Sequence, residues 1–156
     1  MLPPKISSVI VKSNHKSSGR SLNVILFLGC TAAIFYYSWL PSSNLRTESY
    51  LPQIIIDWTS EYLNLRTAVP FLALGYLCEV LQDVTDYKAI KYFFVRPQTV
   101  IICAVIVCLA EAGQFFISDR HPDFMDIFFG IAGGICGGTA ALSFKKLNHY
   151  FLNKNA

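Results

Sequence analysis

The sequence predicts an all-α, polytopic membrane protein with four transmembrane helices. Three observations carry this. Of the 156 residues, 53% are hydrophobic and only 15% charged, and the mean hydropathy is +0.43. A soluble domain of similar apolar content carries about a quarter charged residues. Apolar stretches recur at lengths near those that cross a hydrocarbon layer. Lysines and arginines gather in alternate connecting segments, as the positive-inside rule demands of a chain that crosses repeatedly.

The length suits one domain. The net charge is +3, and no basic stripe interleaved with aromatics accompanies it, which argues against nucleic acid as a partner. The cysteines (Cys30, Cys78, Cys103, Cys108 and Cys136) lie inside apolar runs with no CxxC pair. They read as small packing residues, not as a disulfide framework or a zinc site.

Residues 1–21 form an N-terminal arm, and residues 22–144 hold the membrane domain. The first span, 22–40, has no charged residue. As a helix it covers about 28 Å, close to the hydrocarbon thickness. It ends in Tyr36, Tyr37 and Trp39, aromatics suited to a lipid–water interface. Lys5, Lys12, Lys16 and Arg20 precede it, as in a secretory signal. The run is long for that, however, and Ser38-Trp39-Leu40-Pro41 is a poor cleavage site. A retained helix is expected.

The segment from Pro41 to Arg66 is the longest outer connection. Within it Leu51, Ile54, Ile55, Trp58, Tyr62 and Leu65 recur at three- and four-residue steps. This is the pattern of an amphipathic interfacial helix, and a plain loop is the other reading. The second span, 65–82, has an uncharged core of Thr67–Cys78 only. It reaches full length by taking in Glu79 near one end and Arg66 near the other, where polar tips extend to headgroups. The third span, 98–117, runs through VIICAVIVCLA to Glu111 and Gln114. The fourth, 124–144, is glycine-rich, and a tail follows at 145–156. A tight turn joins spans three and four into an antiparallel hairpin.

Orientation follows from the loops. Lys5, Lys12, Lys16, Arg20, Lys88, Lys91, Arg96, Lys145, Lys146 and Lys154 fall on one side. Arg46, Arg66 and Arg120 fall on the other. Both termini are therefore expected in the cytoplasm.

Ionisable groups inside spans are costly and mark function by default. They concentrate between Glu111 and Asp126, at the outer ends of spans three and four. Glu111 and Gln114 share a helical face, with Glu111 a turn or two below the helix end. On span four, Asp123, Asp126, Gly130, Gly133, Gly137, Ala140 and Phe144 step alternately by three and four. Gly130, Gly134 and Gly138, with Gly133 and Gly137, make small-xxx-small patterns that let a neighbouring helix approach closely. That neighbour can carry Glu111 and Gln114 beside Arg120 and Asp126. Plainer roles stand beside these. Asp123 caps span four with Asp126 in its first turn, Arg120 anchors at the interface or balances Glu111, and Gln114 is interhelical glue. Carboxylates with His121 would suit a hard cation, but no ligand spacing supports a metal. No nucleophile elbow, metalloprotease, phosphate-loop or dinucleotide motif is present, so no cofactor is expected.

The run Glu111-x2-Gln114-x5-Arg120-x2-Asp123-x2-Asp126, with Gly133 beyond, resembles the signature of VanZ-like membrane proteins. Asn64 placed six residues before Pro70 and the sequence Tyr37-Ser38-Trp39-Leu40-Pro41 are similar to weaker family features. Two positions depart from the pattern: Gly130 stands where the family has Asn, and Leu72 where it has Gly. The resemblance implies a multi-pass protein of a bacterial plasma membrane with a cell-envelope role akin to teicoplanin resistance. Three classes of function stay open beside a proton-coupled transporter, for which four short helices leave little room without oligomerisation. The cluster can recognise an envelope lipid, lipid-linked glycan or lipoglycopeptide. It can act as an enzyme on such a lipid, with Glu111 or Asp126 as general base. Or it can hold together a structural subunit that associates with itself or with another membrane protein.

Overall fold

The computed structural model describes residues 4–41, 51–82, 95–118 and 120–154. Arg46, Lys88, Lys91 and Asp119 lie outside the described residues. Among those described there are helices and no strand. In chain order they are α1 (Pro4–Ser38), α2 (Gln53–Glu61), α3 (Leu63–Leu81), α4 (Pro97–Gln114) and α5 (Phe124–Lys154). Three stretches are long and apolar enough to cross a membrane: Gly19–Ser38, Pro97–Gln114 and Phe124–Asn148. The chain is thus a multi-pass membrane protein. The 19-residue α3, which carries Arg66 and Glu79, is not among the three.

Helix limits differ from the expected spans in both directions. The N-terminal arm is not separate from the first span: α1 runs unbroken from Pro4 for 35 residues and ends at Ser38. The expected tail is likewise helical, since α5 continues to Lys154 for 31 residues. They are roughly 52 and 46 Å long at about 1.5 Å per residue, well beyond a hydrocarbon layer of about 30 Å. Hydropathy marks where apolar surface stops, and nothing in Phe144–Lys154 breaks a helix. The third span is shorter than expected. After Gln114 the N–H groups of Phe115, Phe116 and Ile117 bond to carbonyls three residues back (Ala112, Gly113 and Gln114), which tightens the chain into a turn. Glu111 therefore lies in the last turn of α4, closer to the helix end than expected. At the other end of α4, Pro97 occupies the first turn, where its missing N–H removes no helical bond.

The segment 51–65 contains a true helix, α2, with Ile56 and Thr59 buried. The interfacial stripe read from the sequence omits both. Ile54 stays 79% exposed, which suits an apolar side chain facing lipid. Only Tyr62, in a non-helical conformation, separates α2 from α3. Its N–H bonds to the Trp58 carbonyl, and its carbonyl takes the Arg66 N–H.

The core joins Ile34 of α1, Phe71 and Leu74 of α3, and Cys103, Ile106, Val107 and Ala110 of α4. The glycines of α5 serve two neighbours, where the sequence suggested one. A Cβ at Gly133 or Gly137 would land on the backbone carbonyl of Ala68 or Leu72 in α3. Gly75 of α3 meets the Gly134 carbonyl in the same way. These two helices touch backbone to backbone. Gly130, Gly134 and Gly138 also face the side chains of Val107, Cys103 and Val95. Numbers rise along α5 while they fall along the segment ending in α4.

Candidate functional site

The five polar residues singled out between Glu111 and Asp126 are each held by short bonds to one another, to the backbone or to other helices. Glu111 and Gln114 are buried, at 5% and 4% exposure. Because they are three residues apart, the Gln114 amide donates to Glu111 Oε1 at 3.0 Å. The same Nε2 donates to the Ser38 hydroxyl of α1 at 3.1 Å. Glu111 Oε2 accepts the backbone N–H of Asp123 at 3.1 Å. One carboxylate thus ties the end of α4 to the residue that precedes α5.

Asp123 itself is exposed. Its Oδ1 accepts the Met125 N–H at 2.8 Å, and its carbonyl takes the Asp126 N–H at 3.1 Å. This is helix capping, satisfying donors that the first turn of α5 leaves open. Asp126, one turn on, is half-buried, and its Oδ1 accepts the Thr67 hydroxyl of α3 at 2.7 Å. Arg120 Nε donates to the Leu40 carbonyl at 3.0 Å, and Nη2 approaches that of Tyr37 at 3.5 Å. Burial and the neighbouring Arg66 push its guanidinium down from the usual arginine value, while Glu111 and Asp126 act the other way. Arginine starts so high that the charge persists.

Behind this cluster lies a cavity of about 360 Å³. Its walls are apolar and come from four helices, with Ile34, Ile55, Trp58, Phe71, Val107 and Ala110 among them. Arg66, Thr67, Glu111, Gln114, Arg120 and Asp126 also line it. The structure therefore brings both Arg66 and Arg120 to one cavity with Glu111 and Asp126. Asp123 is not among the lining residues. Sequence reasoning passed over Arg66, Thr67 and Ser38 as site residues. The Tyr37-Ser38-x2-Pro41 similarity was the available signal, since Ser38, Tyr37 and Leu40 all contact the cluster. Trp39 also braces it: the indole N–H donates to the Ala110 carbonyl at 3.1 Å. The ring lies against Gly113, where a Cβ would strike it.

A second polar cluster sits at the opposite end, around Glu79. The sequence placed this carboxylate near headgroups, but it is fully buried, at 0% exposure. Oε1 accepts the Thr99 hydroxyl at 2.8 Å and the Arg96 N–H at 3.0 Å. Arg96 Nε lies 3.9 Å from Oε2. Gln82 donates to Thr99 Oγ1 at 2.9 Å, and Lys145 donates to the Glu79 carbonyl. The partners are 17 to 66 residues away in sequence, so nothing local to Glu79 announced them. Among the described residues no group of three or more His, Cys, Asp and Glu gathers as a metal site would require.

A family model described as VanZ/LLP1 matches residues 4–145. No curated protein and no solved structure matches the chain. The match takes in α1 to α4 whole and α5 as far as Lys145, and it contains both polar clusters. This chain belongs to the VanZ/LLP1 family.

Proposed function

We propose that this protein spans a bacterial plasma membrane four times, α3 included and α4–α5 as a hairpin, with both termini in the cytoplasm. The Glu111 end then faces outward, and its cavity holds an amphipathic molecule of the cell envelope. That molecule is an envelope lipid, a lipid-linked glycan or a lipid-tailed antibiotic of the teicoplanin class. The observation that carries the reading is the cavity itself, with apolar walls for a tail and four charged groups at its lining for a head. Sites that bind small molecules are typically concave, mostly apolar, and fixed by a few polar groups.

An enzymatic reading has less support. Both oxygens of Glu111 already accept protein donors, and a general base needs reach to a substrate proton. In the proposed function Glu111 shapes the site by holding α4 to α5.

The test is teicoplanin and vancomycin susceptibility of a Gram-positive host expressing the wild type or Ala110→Phe, which fills the cavity, at matched membrane abundance. Selective protection against teicoplanin by the wild type alone supports a lipid-tail site. Equal protection by both proteins rules the cavity out. No protection by either removes the antibiotic from the proposed ligands.

A further inference from the structure

We propose that the cavity takes one hydrocarbon chain of a lipid in the leaflet at the Glu111 end, and that the chain enters sideways, tail first, through a gap between α1 and α3. This rests on the reading of the cavity as an amphiphile site and deepens it. It names the part of the molecule that the walls hold and the side from which it comes.

The gap follows from how the two helices meet. Their seam is closed at one level, where the Cys30 thiol donates to the Pro70 carbonyl at 3.6 Å. Toward the Glu111 end, which Ser38 and Thr67 reach, come Ala33 and Tyr37 on α1 and Val69 on α3. All three line the cavity and all three are exposed. A wall residue that is also exposed marks an opening. Val69 is 50% exposed, against 2% for Phe71 and 1% for Val107 deeper in the wall. Ile55 of α2 lines the cavity and is exposed as well, so three helices give the opening a largely apolar rim. At Ala33 a single methyl leaves room that a longer side chain would fill.

Depth decides what passes. At about 1.5 Å per residue, Ala33 lies about 8 Å and Cys30 about 12 Å along α1 from Ser38. Ser38 belongs to the polar cluster through Gln114. The opening therefore lies inside Gly19–Ser38, a stretch apolar enough to cross a membrane, and what stands before it is lipid chain. A polar group would lose its hydrogen bonds to water on passing such a rim. A chain already in hydrocarbon loses nothing, and it restores the dispersion contacts that an empty wall lacks. The polar groups of the lining are bonded within the protein: Glu111 to Gln114 and the Asp123 backbone, Asp126 to Thr67, Arg120 to the carbonyls of Leu40 and Tyr37. A head stays at their level while the apolar walls take the tail. The cavity of about 360 Å³ has the volume of roughly a dozen waters, room for part of one chain and not for two.

The test is photolabelling of the full chain in phosphatidylcholine nanodiscs, with the labelled residues read by peptide mass spectrometry. One probe is phosphatidylcholine with a diazirine at the end of an acyl chain; the other carries it next to the glycerol. The expected result is that the chain-end probe labels the buried Phe71 and Val107 several-fold more than the glycerol-end probe does. Ala33→Leu is expected to cut that label several-fold, and Ala110→Phe to remove it, while the label on the exposed Ile101 and Leu109 of α4 stays. Label on Phe71 and Val107 that Ala110→Phe removes but Ala33→Leu leaves unchanged overturns the route and leaves the amphiphile site standing. Equal label there from both probes overturns the tail-first arrangement and again leaves the site standing. No label there, with Ile101 and Leu109 labelled, overturns the inference. Teicoplanin protection lost in Ala110→Phe would then still support the cavity as a site for a ligand that is not a bilayer lipid. If a variant fails to fold, the wild-type contrast between the two probes decides alone.

Discussion

Glu111 and Glu79 occupy equivalent places at opposite ends of the helix group. Each stands three residues before a glutamine at or just past a helix end, Glu111 with Gln114 and Glu79 with Gln82. Each accepts the backbone N–H of the residue directly before the next described helix, Asp123 before α5 and Arg96 before α4. The surroundings differ. Thr99, Arg96 and Lys145 enclose Glu79, and α5 presses on it so closely that a Cβ at Gly138 would meet its Cγ at 3.3 Å. Around Glu111, α1 and α2 stand off enough to leave a cavity. The same clasp is a closed joint at one end and the rim of a cavity at the other. The carboxylate alone does not mark a candidate site; the space beside it does.

Gly137→Leu should break both ends at once, because the side chain would have to occupy the space of the Leu72 carbonyl and backbone atoms near Tyr76. Cores do not absorb such overpacking. The expected outcome is loss of nearly all folded protein, read as monodisperse material after detergent extraction. Glu79→Ala comes next. It leaves Arg96, with a side chain only 16% exposed, facing an empty partner site. Breaking a buried pair by removing one member costs about 3–5 kcal/mol, so thermal stability in detergent should fall more than for Glu111→Ala. Equal losses would show that the two ends are alike in energy as well as in pattern. Thr67→Val removes one hydrogen bond to Asp126 and should cost about 1 kcal/mol, with a lipid-occupancy change larger than its stability change. Asp123→Ala is the smallest. It removes a cap contact on an exposed residue, worth about 1 kcal/mol, and should leave lipid occupancy intact because Asp123 does not line the cavity.

Much of this was legible in the sequence. The apolar runs of α1, α4 and α5 are visible because lipid imposes a simple compositional rule. Glu111 and Gln114 read as a pair because three residues bring them to one face. What escaped detection depends on contacts distant in sequence. The glycines of α5 step by three and four, which places them on two adjoining faces, and the pattern cannot say which neighbour meets which face. Glu79 looked peripheral because Arg96 and Lys145 reach it only through folding. Arg66 looked like an end anchor because the cavity it lines exists only once α1 and α2 pack beside α3.

The unequal packing of the helices also bears on how anything enters. In α3 and α5, Gly75, Gly133 and Gly137 leave no side chain between the two backbones, so the pair can move only as one body. By contrast, α1 has a single buried residue, Ile34, along its lipid-length stretch, and its Gly29 has open space beside it. A local opening costs least where the fewest apolar contacts must be given up. In the proposed function the lateral door to the cavity is α1, held at its end by the bonds of Ser38, Trp39 and Arg120. The first amides to exchange with solvent, and the first wall to yield to a tail arriving from the bilayer, should belong to that helix.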